Sequence, residues 1–403
     1  AAAAGGLMPF AGRHVVLGVS GGIACYKSCT LARRLTEAGA AVDVVLTAAA
    51  AEFVRPVTFE ALTGRPVLSS LWDRGRALAH IGLAKHPDLV ILAPATANLL
   101  ARAAAGLAED VLSAIVLARQ GPILCAPAMN DQMYAHPATV ENLKTLRQRG
   151  WIFVGPETGA LAEGPSERPG RMSEPETIVA AAARILGTRA PWAGKKVVVT
   201  AGATREHLDP VRIITNPSSG RMGYALAEAA ALRGADVVLV TGPSELPLPY
   251  GVVAHRIETT ADLLTALESL VKQADALLMA AAPADFRPRT TAKGKRPRAA
   301  GALSIELEPT PDILAALKTP AKCLRVGFAL ETGDGRAHAQ AKLREKRLDY
   351  IILNDALEPG AGFEVATNRV TIIGKRGEPI ELPLLPKRDV AERILDAVER
   401  ELA

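Results

Sequence analysis

The stretch VVLGVSGG at residues 15–22 decides the fold of the first half of the chain. Its apolar, β-branched run ends in a Ser-Gly-Gly turn, and a helical pattern over 23–37 and a strand pattern over 42–47 follow it. Strand, helix and strand in this order predict a β-α-β unit with parallel strands. The turn then lies at the carboxyl end of the first strand.

The same pattern begins again in the second half, with VVVTAG at 197–202, a helix over 222–233 and a strand over 236–241. Residues 155–194 between the two units are polar and rich in Gly and Pro, and contain one short helix over 176–186. We therefore predict an α/β protein of two doubly wound, mostly parallel-sheet, Rossmann-like domains, 9–190 and 191–403. Later strands are predicted at 276–279, 324–328 and 350–353, helices at 312–317 and 337–347, and a hairpin of 369–373 with 379–382 before a closing helix.

Composition indicates a globular protein and argues against membrane-spanning and nucleic-acid-binding classes. The 403 residues suffice for two full cores, and every apolar run stops well short of the ~20 residues that span a membrane. The first eight residues lack the basic start and apolar stretch of a signal peptide, and the four cysteines show neither disulfide nor zinc spacing. We predict a cytoplasmic protein without a membrane partner. The basic cluster at 293–298 has no aromatic platform beside it, so we expect no nucleic-acid partner.

Two loops of the first half indicate a ligand site. APATAN at 93–98 and APAMN at 126–130 each begin where a buried apolar run stops, and the carboxyl edge of a parallel sheet is where ligands bind. The small groups collected at this edge are Ser20, Gly21, Gly22, Thr47, Thr96 and Asn98. A hydroxyl and glycines at a helix start favour a phosphate, although the glycines could equally allow close packing of strand on helix. The spacing is not that of a dinucleotide fingerprint.

These motifs, with His80 upstream and PAMNDQM at 127–133, resemble the flavin-containing cysteine decarboxylase family. The second half resembles the CTP-dependent phosphopantothenate–cysteine ligases, to which such decarboxylases are fused in coenzyme A biosynthesis. The resemblance implies that His80 assists oxidation of the substrate thiol and that Asn130 holds the substrate carboxylate. It implies that FMN is held by Ser20, Gly21, Gly22, Thr47, Thr96, Asn98 and Met129.

One segment departs from the family pattern. Decarboxylases of this family carry a proton-donating Cys in a flap reading Ala-Cys-Gly, whereas this chain reads LAEG at 161–164 before GRM at 170–172. Glu163 occupies the Cys position, and since the flap is one residue longer the alignment could slip to Gly164. A carboxyl group kept neutral by desolvation could deliver the last proton. The alternatives are an active ligase with an FMN-binding but impaired decarboxylase domain, and a regulatory flavin- or nucleotide-binding module without turnover.

The ligase resemblance rests on TAGATRE at 200–206, NPSSGRMG at 216–223, AAPADFRP at 281–288 and GFALET at 327–332. It implies CTP, 4′-phosphopantothenate and cysteine as partners, and Mg²⁺ held by phosphates and waters rather than by protein metal ligands. The implied residues are Asn216 at the acyl-cytidylate, Lys295 at the α-phosphate, Asp285 and Phe328 at the nucleotide, and Lys342 and Lys346 at the triphosphate. A capped helix start, a core aromatic and a solvated helix face are the alternatives for Asn216, Phe328 and the two lysines. The resemblance further implies a homo-oligomer of decarboxylase trimers joined through ligase dimers, with the FMN site at a subunit boundary.

Overall fold

A computed structural model describes residues 9–72, 78–295, 304–331, 335–355 and 365–402 of the chain. The chain divides into two compact units, Leu7–Gly187 and Thr188–Ala403, called here the N-terminal and C-terminal units. Within the described ranges, no helix combines the length and the apolar character needed to cross a bilayer.

The N-terminal unit is built on a five-stranded sheet in the order β2-β1-β3-β4-β5, in which every neighbouring pair is parallel. The strands are β1 (His14–Val19), β2 (Ala41–Leu46), β3 (Leu89–Ala95), β4 (Ile123–Pro127) and β5 (Ile152–Phe153). The helices are α1 (Cys25–Glu37), α2 (Ala48–Ala51), α3 (Pro56–Thr63), α4 (Ala79–Lys85), α5 (Ala97–Ala105), α6 (Val111–Ala118), α7 (Asp131–Ala135), α8 (Pro137–Gln148) and α9 (Pro175–Gly187). The strand order reverses between β1 and β3, and this switch point is where such sheets open a crevice for a ligand.

Strand β3 and residues 15–19 of β1 are apolar and buried because helices cover both faces of the sheet. Gly18 in β1 allows a close approach: a Cβ atom added there would lie 2.4 Å from Cδ1 of Leu112 in α6. The missing side chain lets α6 pack directly on the sheet beside the switch point.

The C-terminal unit contains an eight-stranded sheet in the order β10-β9-β6-β11-β14-β15-β17-β18. Its strands and those of three short antiparallel pairs are β6 (Lys196–Ala201), β7 (Arg205–His207), β8 (Ile213–Thr215), β9 (Asp236–Thr241), β10 (Val252–Arg256), β11 (Ala276–Met279), β12 (Phe286–Pro288), β13 (Leu307–Pro309), β14 (Leu324–Glu331), β15 (Tyr350–Asp355), β16 (Thr367–Asn368), β17 (Val370–Gly374), β18 (Ile380–Glu381) and β19 (Leu385–Pro386). The helices are α10 (Arg221–Leu232), α11 (Thr260–Leu270), α12 (Ile313–Ala316), α13 (Arg336–Glu345) and α14 (Lys387–Val398). The strands from β10 to β15 pair parallel, whereas β15 with β17 and β17 with β18 pair antiparallel. The order of the strands in the sheet reverses between β6 and β11, which is the switch point of this unit.

The predicted fold class is confirmed: both units are α/β with parallel or mostly parallel sheets. The predicted strands at 276–279 and 236–241 match β11 and β9 residue for residue, and the predicted hairpin is the antiparallel pair of β17 and β18. Strand β14 runs to Glu331, three residues beyond the prediction, because its backbone pairing with β15 continues to Asp355.

A buried arginine joins helices α10 and α14. The Arg233 side chain is 5% exposed and contacts carboxylates of Glu392 at 2.6 Å, Asp396 at 2.7 Å and Glu399 at 3.3 Å. Because removing the buried guanidinium leaves the mostly buried carboxylate of Glu392 without its cation and breaks two further ion pairs, we expect Arg233→Ala to destabilise α14 by about 3 kcal/mol. Hydrogen exchange of α14 amides measures this as a loss of protection of roughly two orders of magnitude.

Arg189 provides the matched control, because it contacts Asp396 and Glu399 but is about half exposed. We expect Arg189→Ala to cost less than about 1 kcal/mol, as exposed ion pairs do. Equal loss of protection in both variants would show that burial of Arg233 adds nothing.

Candidate active sites

A cavity of about 930 Å³ opens at the switch point of the N-terminal unit. It is bordered by the β1–α1 turn, by the residues that follow β2, β3 and β4, and by residues 160–163 and 170–172. The predicted site residues among its lining are Ser20, Gly21, Gly22, Thr47, Thr96, Asn98, Met129, Asn130 and Glu163. Residues distant in sequence are thus brought to one place, whereas His80 is not among the described residues that line the cavity.

Ser20 ties the ends of β1 and β3 together. Its hydroxyl donates to the carbonyl of Pro94 at 2.8 Å and accepts from the backbone N–H of Thr96 at 3.0 Å. The hydroxyl of Thr96 in turn caps α5 by accepting from the N–H of Leu99 at 3.4 Å. These bonds fix the polar edge of the cavity before any ligand arrives.

Gly21 is required for packing. A Cβ atom added there would lie 2.4 Å from the Cβ and 2.8 Å from the carbonyl oxygen of Ala49, whereas at Gly22 the nearest atom is Cγ2 of Thr96 at 3.5 Å. Close packing therefore explains Gly21, and Gly22 has ordinary space on its cavity side. Helix α1 starts directly behind this turn with Ala24 at its N-cap and without a side-chain cap, so its positive end is available to a phosphate.

We expect Gly21→Ala to lower FMN affinity by at least about tenfold, because the turn must move away from Ala49 and distort the phosphate end of the cavity. The measurement is FMN content and dissociation followed by flavin fluorescence. Gly82→Ala in α4, where the nearest atom is 3.8 Å away, is the control and should retain FMN. Full FMN occupancy in Gly21→Ala would contradict the expectation.

Asn130 is held so that its amide N–H groups face the cavity. Its Oδ1 accepts from the N–H groups of Gln132 at 2.8 Å and Met133 at 3.3 Å and so caps α7. Its Nδ2 donates to Oε1 of Glu163. The Glu163 side chain is exposed.

The flap comprises residues 157–172, and its base is anchored to the loop after β4. The N–H of Met129 donates to the carbonyl of Gly170 at 3.0 Å, and the hydroxyl of Ser166 donates to Oδ2 of Asp131 at 2.7 Å. A Cβ atom at Gly170 would lie 2.6 Å from the carbonyl oxygen of Met129. The flap therefore starts from a fixed base that holds Glu163 next to Asn130.

Three basic residues in the cavity wall were missed from sequence. Buried Lys27 donates from Nζ to Oε1 of Glu174 at 3.0 Å and to the carbonyl of Met172 at 3.2 Å. Arg171 contacts the same Glu174 oxygen, and Arg102 pairs with Asp110 at 2.7 Å. The available signal was a lysine in the first turn of the helix that follows the Ser-Gly-Gly turn.

No cysteine stands in for the absent flap thiol among the described residues that line the cavity. Cys25 lies behind the turn, its Sγ 3.2 Å from the carbonyl of Ser20, and burial raises the pKa of its thiol. All four cysteines are free. Glu163 is an ionisable group of the flap segment that lines the cavity.

His80 lies in helix α4, which packs on α6. Leu78, two residues before it, is 77% exposed, and Trp72, the last described residue before the gap at 73–77, is 89% exposed. Ile23 and Tyr26 at the mouth of the cavity are likewise about 60% exposed. The histidine segment and the cavity therefore both carry uncovered apolar surface, which is typical of a protein interface.

The second switch point, between β6 and β11, holds Asn216. Its Nδ2 donates to the carbonyls of Ala282 at 3.3 Å and Pro283 at 3.1 Å, and the N–H of Ala282 donates to the carbonyl of Gly202 at 2.9 Å. Asp285 follows on the same loop with an exposed side chain. The structure thus brings Asn216 to the loop that carries Asp285.

The start of α10 is shaped for close backbone approach. Gly220 has φ +77° and Gly202 has φ +76°, and a Cβ atom at Gly220 would lie 3.1 Å from the backbone nitrogen of Gly202. Gly220 is the N-cap of α10 and supplies no side-chain cap. The two strand-end loops therefore meet backbone to backbone beside an open helix N-terminus.

The remaining ligase residues are more dispersed. Phe328 is half-buried and packs on the core, Lys342 contacts Glu331 at 2.7 Å, and Lys346 contacts Asp312 at 3.2 Å beyond the end of α13. Lys295 is exposed and borders residues 296–303, which with Thr332 lie outside the described residues. In the described ranges, no group of three or more His, Cys, Asp or Glu residues is arranged to hold a metal ion.

Comparison with known proteins agrees with the division of the chain into an N-terminal and a C-terminal unit. Residues 9–187 match the family model "Flavoprotein" and residues 192–402 match "DNA/pantothenate metabolism flavoprotein C-terminal domain". The chain is 45% identical to the coenzyme A biosynthesis bifunctional protein CoaBC of Vibrio cholerae, over 98% of this chain and 100% of the relative. It is 44% identical to CoaBC of Bacillus subtilis, over 96% of both chains.

Among solved structures, the C-terminal domain of a CoaBC protein is 42% identical and covers 52% of this chain and 96% of its own, with a TM-score of 0.45. A mutant PPC decarboxylase complexed with pantothenoylaminoethenethiol is 30% identical and covers 42% of this chain and 96% of its own, with a TM-score of 0.39. The full-length identity and the two family models decide the assignment. The chain belongs to the CoaBC family of bifunctional coenzyme A biosynthesis enzymes, which join a flavoprotein decarboxylase domain to a ligase domain.

Proposed function

We propose that residues 191–403 couple 4′-phosphopantothenate to cysteine at the expense of CTP, and that residues 9–190 decarboxylate the resulting 4′-phosphopantothenoylcysteine on FMN. The observation that carries this proposal is the cavity at the β1/β3 switch point, which gathers the Ser20 turn, Thr96, Asn130 and Glu163. The order of the two steps follows from chemistry, because the amide formed by the first is the substrate of the second.

The cavity suits FMN. Its volume of about 930 Å³ lies in the range of cofactor pockets, the open start of α1 faces the phosphate end, and Ala, Leu and Met side chains supply apolar walls for a planar ring. Ser20, Gly21, Gly22, Thr47, Thr96, Asn98 and Met129 would hold the cofactor. When bound, FMN accepts and later returns the two electrons that make loss of CO₂ possible.

The chain's own residues then orient the substrate and handle protons. The Nδ2 group of Asn130, fixed by the cap on α7, would receive the substrate carboxylate. His80 would accept the proton released when the thiol is oxidised. Glu163 would supply the last proton, in the place of the family's flap Cys.

We propose that His80 acts on the cavity of a neighbouring copy in a decarboxylase trimer. One observation in support is that His80 is not among the described residues that line the cavity of its own chain. The other is that Trp72 and Leu78, upstream of His80, and Tyr26, at the cavity, expose apolar surface, which is typical of a protein interface. Exposed Val211 and Phe286, on the short β7–β8 and β12–β13 arms, support a ligase dimer in the same way.

In the ligase, Asn216 would contact the acyl-cytidylate, and Lys295 would stabilise charge that develops at the α-phosphate. Asp285 and Phe328 would bind the nucleotide. Lys342 and Lys346 would exchange Glu331 and Asp312 for the triphosphate when CTP and Mg²⁺ bind.

Four free cysteines support a cytoplasmic location.

One assay tests both halves. Purified protein given 4′-phosphopantothenate, cysteine, CTP, Mg²⁺ and FMN should form the amide, release pyrophosphate and then release CO₂. Amide that accumulates without CO₂ would establish a ligase with an impaired decarboxylase, which the missing flap Cys makes the second candidate. No consumption of CTP would refute both. Glu163→Ala should slow formation of 4′-phosphopantetheine, and an unchanged rate would exclude Glu163 as the proton donor.

A further inference from the structure

The carboxylate of Glu163 is held at the amide group that would receive the substrate carboxylate. Oδ1 of Asn130 is used to cap α7, so Nδ2, which carries two N–H donors, is the part of this side chain that is available to the cavity. In the described structure Nδ2 donates to Oε1 of Glu163. The proposed function places the substrate carboxylate at this same amide group, and the two carboxylates therefore meet side by side on its N–H donors.

The other charged groups around the cavity leave Glu163 without a cation in the described contacts. Those that line it are Lys27, Arg102, Glu109, Asp110 and Arg171, and those of the flap and its anchor are Asp131, Glu157, Glu167, Arg168 and Glu174. Lys27 and Arg171 both contact Glu174, and Arg102 contacts Asp110. The recorded partner of Glu163 is thus a neutral amide, which cannot offset a second negative charge.

Two carboxylates held side by side on one neutral amide group repel each other. Repulsion between like charges favours uptake of one proton by the pair, as it does in the paired carboxyl groups of aspartic proteases. Proximity of the two carboxylates, rather than burial, is the cause here, since Glu163 is exposed.

We propose that arrival of the substrate carboxylate at Asn130 loads a solvent proton onto Glu163, and that loss of CO₂ releases this proton for the final step. The inference rests on the proposed decarboxylase function. It makes Glu163 a timed acid: it holds its proton while the substrate carboxylate is present and gives it up once CO₂ has left.

The step balances in atoms and electrons. The bond between the α-carbon and the carboxylate breaks, CO₂ leaves, and the electron pair stays on the substrate as an enethiolate. Glu163 gives its proton to the carbon that lost CO₂. The carbon that bears sulfur would receive the hydride, and with it the two electrons, that FMN supplies when bound. The product is a thiolate that takes a proton from water, and Glu163 is again ionised and free to return to Nδ2 of Asn130.

The experiment measures proton uptake on binding to the FMN-loaded protein by calorimetry in two buffers of different ionisation enthalpy, at pH 7. The probes are 4′-phosphopantothenoylserine, whose hydroxyl replaces the thiol, and 4′-phosphopantothenoylethanolamine, which lacks the carboxylate. We expect about 0.5 to 1 proton taken up per site with the first probe and about none with the second. In Glu163→Gln we expect no uptake with either probe and about fivefold tighter binding of the serine probe, because the competing charge is gone.

Glu167→Gln, an exposed carboxylate of the same flap, is the matched control and should keep the wild-type uptake. Equal uptake with both probes, or uptake that persists in Glu163→Gln, would overturn the inference. Release of CO₂ by wild-type protein in the same preparation separates the two proposals. If CO₂ is released but no proton is taken up on binding of the serine probe, only the proposal for Glu163 is refuted. If no CO₂ is released and neither probe binds, the proposed decarboxylase function is refuted as well.

Discussion

We expect His80→Asn to slow release of CO₂ from 4′-phosphopantothenoylcysteine and to leave CTP-dependent ligation at the wild-type rate. A positioned general base contributes about 10²- to 10⁴-fold, so CO₂ release should fall by a factor of that size. The ligation rate persists because His80 lies in the N-terminal unit, and the ligase residues all lie in the C-terminal unit. The measurement is CO₂ and pyrophosphate release by the same preparation.

His86→Asn is the control, because His86 is the C-cap of the same helix α4. It should retain CO₂ release, and normal CO₂ release by His80→Asn would remove His80 from the mechanism. Mixed oligomers then test the subunit boundary. Refolding or co-expressing His80→Asn with Asn130→Ala should restore activity at about a quarter of the sites if the two residues come from different copies. No recovery would mean that both act from one copy.

Lys295→Ala has the second large effect, this time on the other reaction. Removing one group that stabilises charge in a transition state costs about 10²- to 10³-fold in rate, so pyrophosphate release from CTP should fall by that factor. Release of CO₂ from supplied 4′-phosphopantothenoylcysteine should be unchanged. We therefore expect His80→Asn to lose only the decarboxylase activity and Lys295→Ala to lose only the ligase activity.

Lys293→Ala is the matched control for Lys295, since it removes an equally exposed lysine two residues earlier in the same loop. We expect it to retain at least about half of the ligation rate, because it removes charge without the proposed contact. If both variants lose activity equally, the loop acts through its total charge, and the specific role of Lys295 is refuted.

Much of the fold follows from local sequence. The run before Ser20 predicts a buried strand because it is apolar on both faces, and the Ser-Gly-Gly turn marks its end. The strand at 276–279 is recognised for the same reason and matches β11. Prediction fails by three residues at β14, where backbone pairing with β15 continues to Glu331.

The site is predictable in one part and not in another. Ser20, Thr96 and Asn130 follow adjacent parallel strands, so their convergence is a consequence of the sheet. Lys27 was missed because its link to Glu174 joins residues 147 positions apart, and no local pattern encodes it. The sequence groups His80 with these residues, but helix α4 does not bring it to the lining of its own chain's cavity among the described residues.

The sequence by itself determined that this chain has two parallel-sheet units and which residues end their strands, because apolar runs and glycine turns are local and the carboxyl ends of parallel strands share an edge. Only the tertiary structure decided how the flap meets that edge. It places the exposed carboxylate of Glu163 on the amide of Asn130, across 33 residues of chain. That contact depends on the conformation of a loop and on the cap that orients Asn130, and neither is written in a local pattern.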